Sequence, residues 1–160
     1  MRLRDLTALD VPSMLALNND AVPAVPASTE VELAELLRMS SFGFAAVSGE
    51  EFLGFVVGFE PGLDYASPNY RFFENRGTDH LYVDRIVVAE AARGMRVGQT
   101  LYNRVVDLAV DQGRAEVTCE VNIEPPNPAS LAFHSRLGFS EVDRQDTGYA
   151  TVTLLARRLS

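Results

Sequence analysis

Residues 81–105 run LYVDRIVVAEAARGMRVGQTLYNRV. The first eight are dense in β-branched residues, as expected of a central strand buried on both faces, although Asp84 and Arg85 sit inside it. Farther on, Val97, Leu101, Val105, Leu108 and Ala109 follow helical spacing, and Gly113 supplies the stop. Strand and helix are joined by Ala92-Arg93-Gly94-Met95-Arg96-Val97-Gly98. Such a turn aims several backbone N–H groups at one point and adds the positive end of the helix dipole. Gly94 and Gly98 let an anion approach the backbone, and Arg93 and Arg96 supply cations, so a pyrophosphate fits. A plain connection with solvated arginines fits the spacing equally well. Neither the Walker lysine signature nor Gly-x-Gly-x-x-Gly is present, which removes most of the weight from those two nucleotide folds.

The surrounding 160 residues amount to about one domain. With 47% hydrophobic and 22% charged residues the composition is that of a soluble globular protein, and disorder or a collagen-like fibre is excluded. A net charge of −8 argues against a broad phosphate-neutralising surface, so no nucleic-acid partner is expected. The lone Cys119 cannot form an internal disulfide, and the opening MRLRDLTALD lacks the apolar region of a secretory signal. A cytoplasmic location is therefore expected. No apolar run approaches the ~20 residues of a membrane span, so no membrane partner is expected. His80, His134 and Cys119 stand at no metal-ligand spacing, and no metal is expected.

The remaining chain alternates between helical and strand periods without repeats, which predicts one mixed α/β domain over residues 1–160. A short opening strand leads to a helix capped by Asp10 and carrying Met14, Leu15 and Leu17. Thr29 and Glu32 form a capping box for a second helix bearing Val31, Leu33, Leu36 and Leu37. Phe42–Val47 and Glu51–Phe59 predict a hairpin across Ser48-Gly49-Glu50. Between Pro61 and His80 lies a polar, aromatic stretch too long for a routine connector. Glu116–Asn122 alternates Val117, Cys119 and Val121 with Thr118, Glu120 and Asn122, a strand with one apolar and one polar face. Asn127 and Pro128 are the cap and first residue of a short fourth helix ending near Gly138. Ser140–Gln145 and Ala150–Arg157 predict a closing hairpin.

The stretch RIVVAEAARGMRVGQTLYNRVV resembles the cofactor motif of the GNAT superfamily of acyl-CoA-dependent N-acyltransferases, a strand followed by Gln/Arg-x-x-Gly-x-Gly/Ala and a helix. Further on, NPASLAFHSRLGF is similar to the family's second signature, Asn-x-x-Ala-x-x-x-Tyr-x-x-x-Gly-Phe, at the expected distance. The pair is specific where neither alone is. The resemblance implies a mixed, mostly antiparallel sheet of six or seven strands with about four helices, and transfer of an acetyl or short acyl group from acetyl-CoA to a primary amine. It also implies that Arg93, Gly94, Met95, Arg96, Val97, Gly98 and Gln99 wrap the pyrophosphate of coenzyme A, and that the backbone of Ile86, Val87 and Val88 holds the acyl and pantetheine portion. Asn127, with Ser130, takes the place that contacts the pantetheine arm. The two central strands would splay apart beside them.

Two departures from the family pattern matter. Arg96 stands where the first glycine of Gly-x-Gly/Ala is expected, adding charge and forfeiting conformational freedom. His134 stands where the family places a tyrosine to protonate the departing thiolate; with a reference pKa of ~6.5 against ~10 for tyrosine, it is a poorer proton reservoir. Packing beside Phe133 and Leu137 is the structural alternative for His134. No motif fixes a general base, and Asp84 and Glu120 are the candidates by position, with a buried ion pair to Arg85 and a solvated strand face as their structural alternatives. Cys119 is expected in the core, which leaves direct ternary-complex transfer rather than a covalent acyl-enzyme. In the 61–80 stretch, Asp64, Tyr65, Asn69 and Tyr70 are candidates for the amine acceptor, a small molecule or peptide, and the aromatics equally suit a homodimer contact. The rival functions are an acyl-CoA-binding module of the same fold without catalysis and a non-catalytic interaction domain.

Overall fold

The computed structural model describes residues 1–159. Seven strands, β1 (Arg2–Asp5), β2 (Phe42–Ser48), β3 (Glu51–Phe59), β4 (His80–Val88), β5 (Glu116–Glu124), β6 (Ser140–Asp146) and β7 (Thr151–Arg158), form a sheet in the order β1-β2-β3-β4-β5-β7-β6. Five helices accompany them: α1 (Val11–Asp20), α2 (Glu30–Met39), α3 (Pro68–Arg76), α4 (Val97–Asp111) and α5 (Pro128–Arg136). The sheet is mostly antiparallel; β4 and β5 pair in parallel. The chain groups into two compact units, one of Met1–Phe59 with Arg85–Arg104, the other of Glu60–Asp84 with Val105 onward.

In the first unit, Thr29 caps α2 as its sequence predicts, accepting from the Glu32 amide while the Glu32 carboxylate accepts from the Thr29 amide. Asp10 stands at the N-cap of α1, as its sequence predicts, but its side chain makes no capping bond to the helix. Its carboxylate accepts instead from the Thr7 amide at 2.8 Å and from both terminal nitrogens of Arg4, because a 3-10 turn at Ala8–Asp10 precedes the helix. Met14, Leu33 and Leu36 enter the core with Phe44, Phe55 and Val57, whereas Val31 points to solvent at 79% exposure. The helical period of α2 puts Leu33 and Leu36 three apart on one face and leaves Val31 off it.

In the second unit the 61–80 stretch is not a long loop. Ser67 accepts from the Tyr70 amide, Pro68 occupies the first turn, and Gly77 closes α3 with φ +78°. That is a complete set of helix start and stop signals, and it accounts for a fifth helix where four are expected. Asn127 and Pro128 open α5 and Gly138 follows it with φ +90°, as the sequence predicts. Val117, Cys119 and Val121 of β5 are buried, but so are Glu116, Thr118 and Asn122, so the polar face of this strand is covered rather than wet.

Gly54 sets the spacing of β3 within the first unit. A Cβ there would lie 2.8 Å from the carbonyl oxygen of Val87 and 3.1 Å from a methyl of Val97. The Ala89 amide donates to Leu53 at 2.8 Å beside it. Absence of a side chain therefore lets β3 lie against Val87, Val88 and the start of α4. Gly54→Ala forces that backbone apart and is expected to destabilise the fold by about 1–3 kcal/mol, as overpacked cores do. Thermal melting checks it: Tm falls by at least a few degrees, and an unchanged Tm would show that β3 can retreat freely.

Candidate active site

The turn between β4 and α4 belongs wholly to the first unit. A 3-10 turn at Glu90–Ala92 ends with the Ala92 side chain buried, and Arg93 to Arg96 are exposed. Gly94 is left-handed at φ +87°, and so is Arg96 at φ +60°, the one non-glycine residue with positive φ among the described residues. The arginine that replaces a glycine of the family pattern thus keeps the backbone a glycine would supply. Thr100 donates through both its amide and its hydroxyl to the Arg96 carbonyl, fixing the turn against the first turn of α4. The opening N–H groups of this fifteen-residue helix have no carbonyl four residues back inside it. Open space surrounds the Cα of Gly94, with no atom within 4 Å of where a Cβ would stand. Within the turn the Arg93 amide donates to Glu90 and the Met95 amide to Ala92, so what fits a phosphate-bearing ligand is the first turn of α4 with its dipole and the two exposed arginines beside it. Ile86 and Val88 are half-buried and Val87 is buried just before this turn, while Gln99 is exposed just after it.

The second unit holds the polar face of β4 and β5. Their registered pairs are His80↔Glu116, Leu81↔Val117 and Tyr82↔Thr118, and the ladder stops there although both strands continue. Strand alternation puts His80, Tyr82 and Asp84 on one face of β4, and Glu116, Thr118 and Glu120 on one face of β5. The buried His80 ring lies 2.8 Å from Glu74 on one nitrogen and 3.0 Å from the Thr118 hydroxyl on the other. Arg76 reaches the buried Glu116 at 2.6 Å. Tyr82 donates to Glu120, and Tyr65 donates to Asp84 at 2.6 Å. Burial, then the charges of Glu120 and Asp84, push the Tyr82 phenol well above its ordinary value, so it holds its proton and donates it to Glu120. Asp84 and Glu120, the two candidate bases, therefore share one half-buried cluster two residues past the last rung of the ladder. Tyr82 escapes sequence reasoning because an aromatic inside a β-branched strand reads as core. Its place two residues from Asp84, on the same face, is the signal that finds it.

His134 lies on α5 in the same unit and is buried at 4% exposure. Its Nδ1 is 2.8 Å from the Ser130 carbonyl, an acceptor only, so Nδ1 carries the proton and donates. The Ser130 hydroxyl is 3.3 Å from the same nitrogen, and the Ser130 amide donates to the Asn127 side chain at the helix cap. Phe133 and Phe139 meet the ring edge-on at 5.3 Å and 5.4 Å. Burial lowers the His134 pKa, against a smaller raising effect of the Ser130 bond, so the ring is neutral at pH 7.

The acceptor candidates separate. Asp64 is fully exposed and pairs with Arg71 at 3.5 Å. Tyr65 is half-buried and turned onto Asp84. Tyr70 is buried, its hydroxyl donating to the Glu60 carbonyl and accepting from the Leu63 amide, and Asn69 is buried and accepts from Gln145. Asn69 and Tyr70 thereby hold their own surroundings together. Cys119 is buried at 2%.

Comparison with known proteins gives this geometry its context. Residues 11–139 match the Acetyltransferase (GNAT) family. The chain belongs to that family and is an acetyltransferase. Two curated relatives, from Pseudomonas paraeruginosa and Pseudomonas aeruginosa, are each 34% identical over 143 residues, covering 86% of this chain and 78% of theirs. Each is named L-methionine sulfoximine/L-methionine sulfone acetyltransferase. Among solved structures, Ard1 from Thermoplasma volcanium superposes with a TM-score of 0.79 at 18% identity, covering 99% of this chain and 97% of its own. The Salmonella typhimurium structure of yncA, described as a putative acetyltransferase with its cofactor acetyl-CoA, gives 0.73 at 16% identity, covering 100% and 94%. These two show the same fold.

Left-handed backbone costs a non-glycine residue about 1–2 kcal/mol. Arg96→Gly is therefore expected to raise Tm by up to about 4 °C, and Arg96→Ala is not; equal melting of the two would show that the position carries no strain. The neutral His134 supplies a pH dependence of known sign. Its folded pKa lies below the ordinary 6.5, so its contribution is fully present above that value and is lost as pH falls through the lowered one. Between about pH 7.5 and about pH 5, Tm should fall less in His134→Phe than in the native chain, and equal falls would mean the buried ring is not the group responsible.

Proposed function

We propose that this chain transfers an acetyl or short acyl group from acetyl-CoA to a primary amine by direct attack in a ternary complex. The observation that carries the proposal is the 93–98 turn, exposed from Arg93 to Arg96 at the head of α4 with Gly94 and Arg96 in left-handed backbone. In this assignment the residues from Arg93 to Gln99 hold the pyrophosphate, through the amides not spent on the Glu90 and Ala92 carbonyls, the backbone of Ile86 to Val88 orients the acyl arm, and Asn127 and Ser130 at the start of α5 serve the pantetheine arm. Acetyl-CoA supplies the activated thioester carbonyl. Asp84 or Glu120 takes the first proton from the ammonium form of the acceptor, which frees the nitrogen lone pair. The nitrogen loses two protons in all, one to this carboxylate and one that ends on the departing sulfur. His134 does not serve that sulfur as an acid while neutral, because the Nδ1 proton is given to the Ser130 carbonyl. It acts as a fixed, uncharged wall that sets the start of α5, and Tyr65 and Asp64 are the acceptor-side groups.

The names of the two Pseudomonas relatives make a small amino-acid-like amine the first acceptor class to try, with polyamines and peptide N-termini as the comparison set. Acetyl-CoA at about 100 times its dissociation constant adds about 2.7 kcal/mol to stability, which should raise Tm by several degrees in the native chain and not in Gly98→Asp. Thiol release with L-methionine sulfone or another amine of the set then establishes transfer. A Tm rise without thiol release from any amine would point to an acyl-CoA-binding domain, and no rise in a folded, CoA-free preparation would overturn the cofactor assignment.

A further inference from the structure

The connection between β3 and α3, residues 60–67, belongs to no motif of the chain, yet it is fixed with unusual thoroughness. The Gly62 amide donates to Glu74 at 2.8 Å, the Leu63 amide donates to the Tyr70 hydroxyl at 3.2 Å, and that hydroxyl donates to the Glu60 carbonyl at 2.6 Å. Both anchoring side chains lie on α3, and both reach further inward. Glu74 also meets His80 at the start of β4, and the Tyr70 ring stands edge-on to Tyr82 at 5.5 Å. The Tyr65 ring in turn stands edge-on to Tyr70 at 5.6 Å. The position of Tyr65 is thus determined by its own ring contact and by the backbone bonds just before it. The result of all these contacts is one hydrogen bond at 2.6 Å to a half-buried carboxylate on the neighbouring strand.

We infer that Tyr65 is the positioning residue of Asp84, holding its carboxylate ready to receive the acceptor's proton. The inference rests on the acyl-transfer reading given above and goes further by choosing between its two carboxylates. Glu120 is tied to Tyr82, a phenol buried at 1% exposure on the adjacent strand. Asp84 is tied to Tyr65, a half-buried phenol on a connection whose Gly62, Leu63, Asp64 and Ala66 are exposed. In the step itself the N–H bond of the ammonium breaks, its electron pair stays on nitrogen, and the proton forms an O–H bond on Asp84. The Tyr65 O–H bond remains intact throughout. The proton on Asp84 then returns to solvent. The titratable groups around Asp84 are Tyr65 from the connection, Tyr82 from its own strand and Glu120 from β5, with Arg85 next in the chain. A hydrogen bond donated to a carboxylate favours its charged form, so loss of the Tyr65 hydroxyl makes Asp84 a stronger base that is protonated at higher pH.

The test uses the full chain with acetyl-CoA and the amine found by thiol release, comparing native protein, Tyr65→Phe, Asp84→Asn and the double variant. Tyr65→Phe retains the ring against Tyr70 and should keep the native Tm within a degree or two. The acidic limb of its kcat/KM profile is expected to move up by roughly half a unit to one unit, with the KM for acetyl-CoA unchanged. Carbon-detected NMR titration of the Asp84 carboxyl should show the same upward move with no acceptor present. In the Asp84→Asn background the Tyr65 substitution should add nothing. Loss of the limb in Asp84→Asn together with an unmoved limb in Tyr65→Phe would overturn the inference and leave acyl transfer standing. Survival of the limb in Asp84→Asn would remove Asp84 as the base, and failure of every amine to release thiol would remove the activity and this inference with it.

Discussion

The parallel ladder between β4 and β5 is three residues long, and the chemistry assigned to the second unit depends on that shortness. A full-length ladder would bond the two backbones to each other past Asp84 and Glu120. Here the bonding ends at Tyr82↔Thr118, and the next two side chains on that face are carboxylates. Buried polar groups must find partners, because an unpaired one costs about 1–3 kcal/mol. The partners come from α3 and the connection before it: Glu74 for His80, Arg76 for Glu116, Tyr65 for Asp84. Among the described residues no buried side-chain nitrogen or oxygen lacks one. A fully satisfied network of this kind is rigid, and rigidity is what a proton acceptor needs.

Strand alternation also resolves what two adjacent charges do inside β4. Asp84 and Arg85 are chain neighbours, so their side chains leave on opposite faces. Asp84 goes to the cluster with Tyr65. Arg85 places one guanidinium nitrogen 3.0 Å from the buried Asn18 and 2.7 Å from Ser28, which ties the end of α1 and the approach to α2 within the first unit. The same strand therefore fastens helices with one residue and presents a carboxylate with the next. Gly54 contributes in the same unit by letting β3 lie against the stretch of β4 that leads into the turn before α4.

The sequence makes legible those elements whose signals are local. The capping box at Thr29 and Glu32, the Asn127-Pro128 start, the hairpin at Gly49 and the strand-turn-helix at 81–111 all form where their residues place them. It makes less of α3, whose Ser67-Pro68 start and Gly77 stop are as local as any, because the aromatic and charged residues between them lack an apolar period strong enough to mark a helix. Asp10 misleads for a different reason: a carboxylate beside Thr7 and Arg4 has two competing uses, and tertiary contact with Arg4 decides between them. The pairing of Tyr65 with Asp84 spans nineteen positions and that of Tyr82 with Glu120 thirty-eight. No window of sequence holds such pairs. Asp84 and Glu120 are individually visible as carboxylates in strands, and only the register of β4 on β5 brings them into one cluster.

Arg96 shows how a departure from a family pattern is to be weighed. A glycine at that position would adopt φ +60° without strain, so an arginine there could have announced a reshaped, inactive turn. It has instead kept the left-handed backbone and accepted the cost. Strained backbone persists only where surrounding contacts over-determine it, and it concentrates where a ligand needs the geometry. The two bonds from Thr100 to the Arg96 carbonyl are contacts of that kind. A plain strand-to-helix connection would have no reason to hold a bulky residue left-handed, since an ordinary turn through the right-handed region would join the same elements. A left-handed arginine held in this way is therefore an argument that the turn at the head of α4 serves a ligand rather than a mere connection.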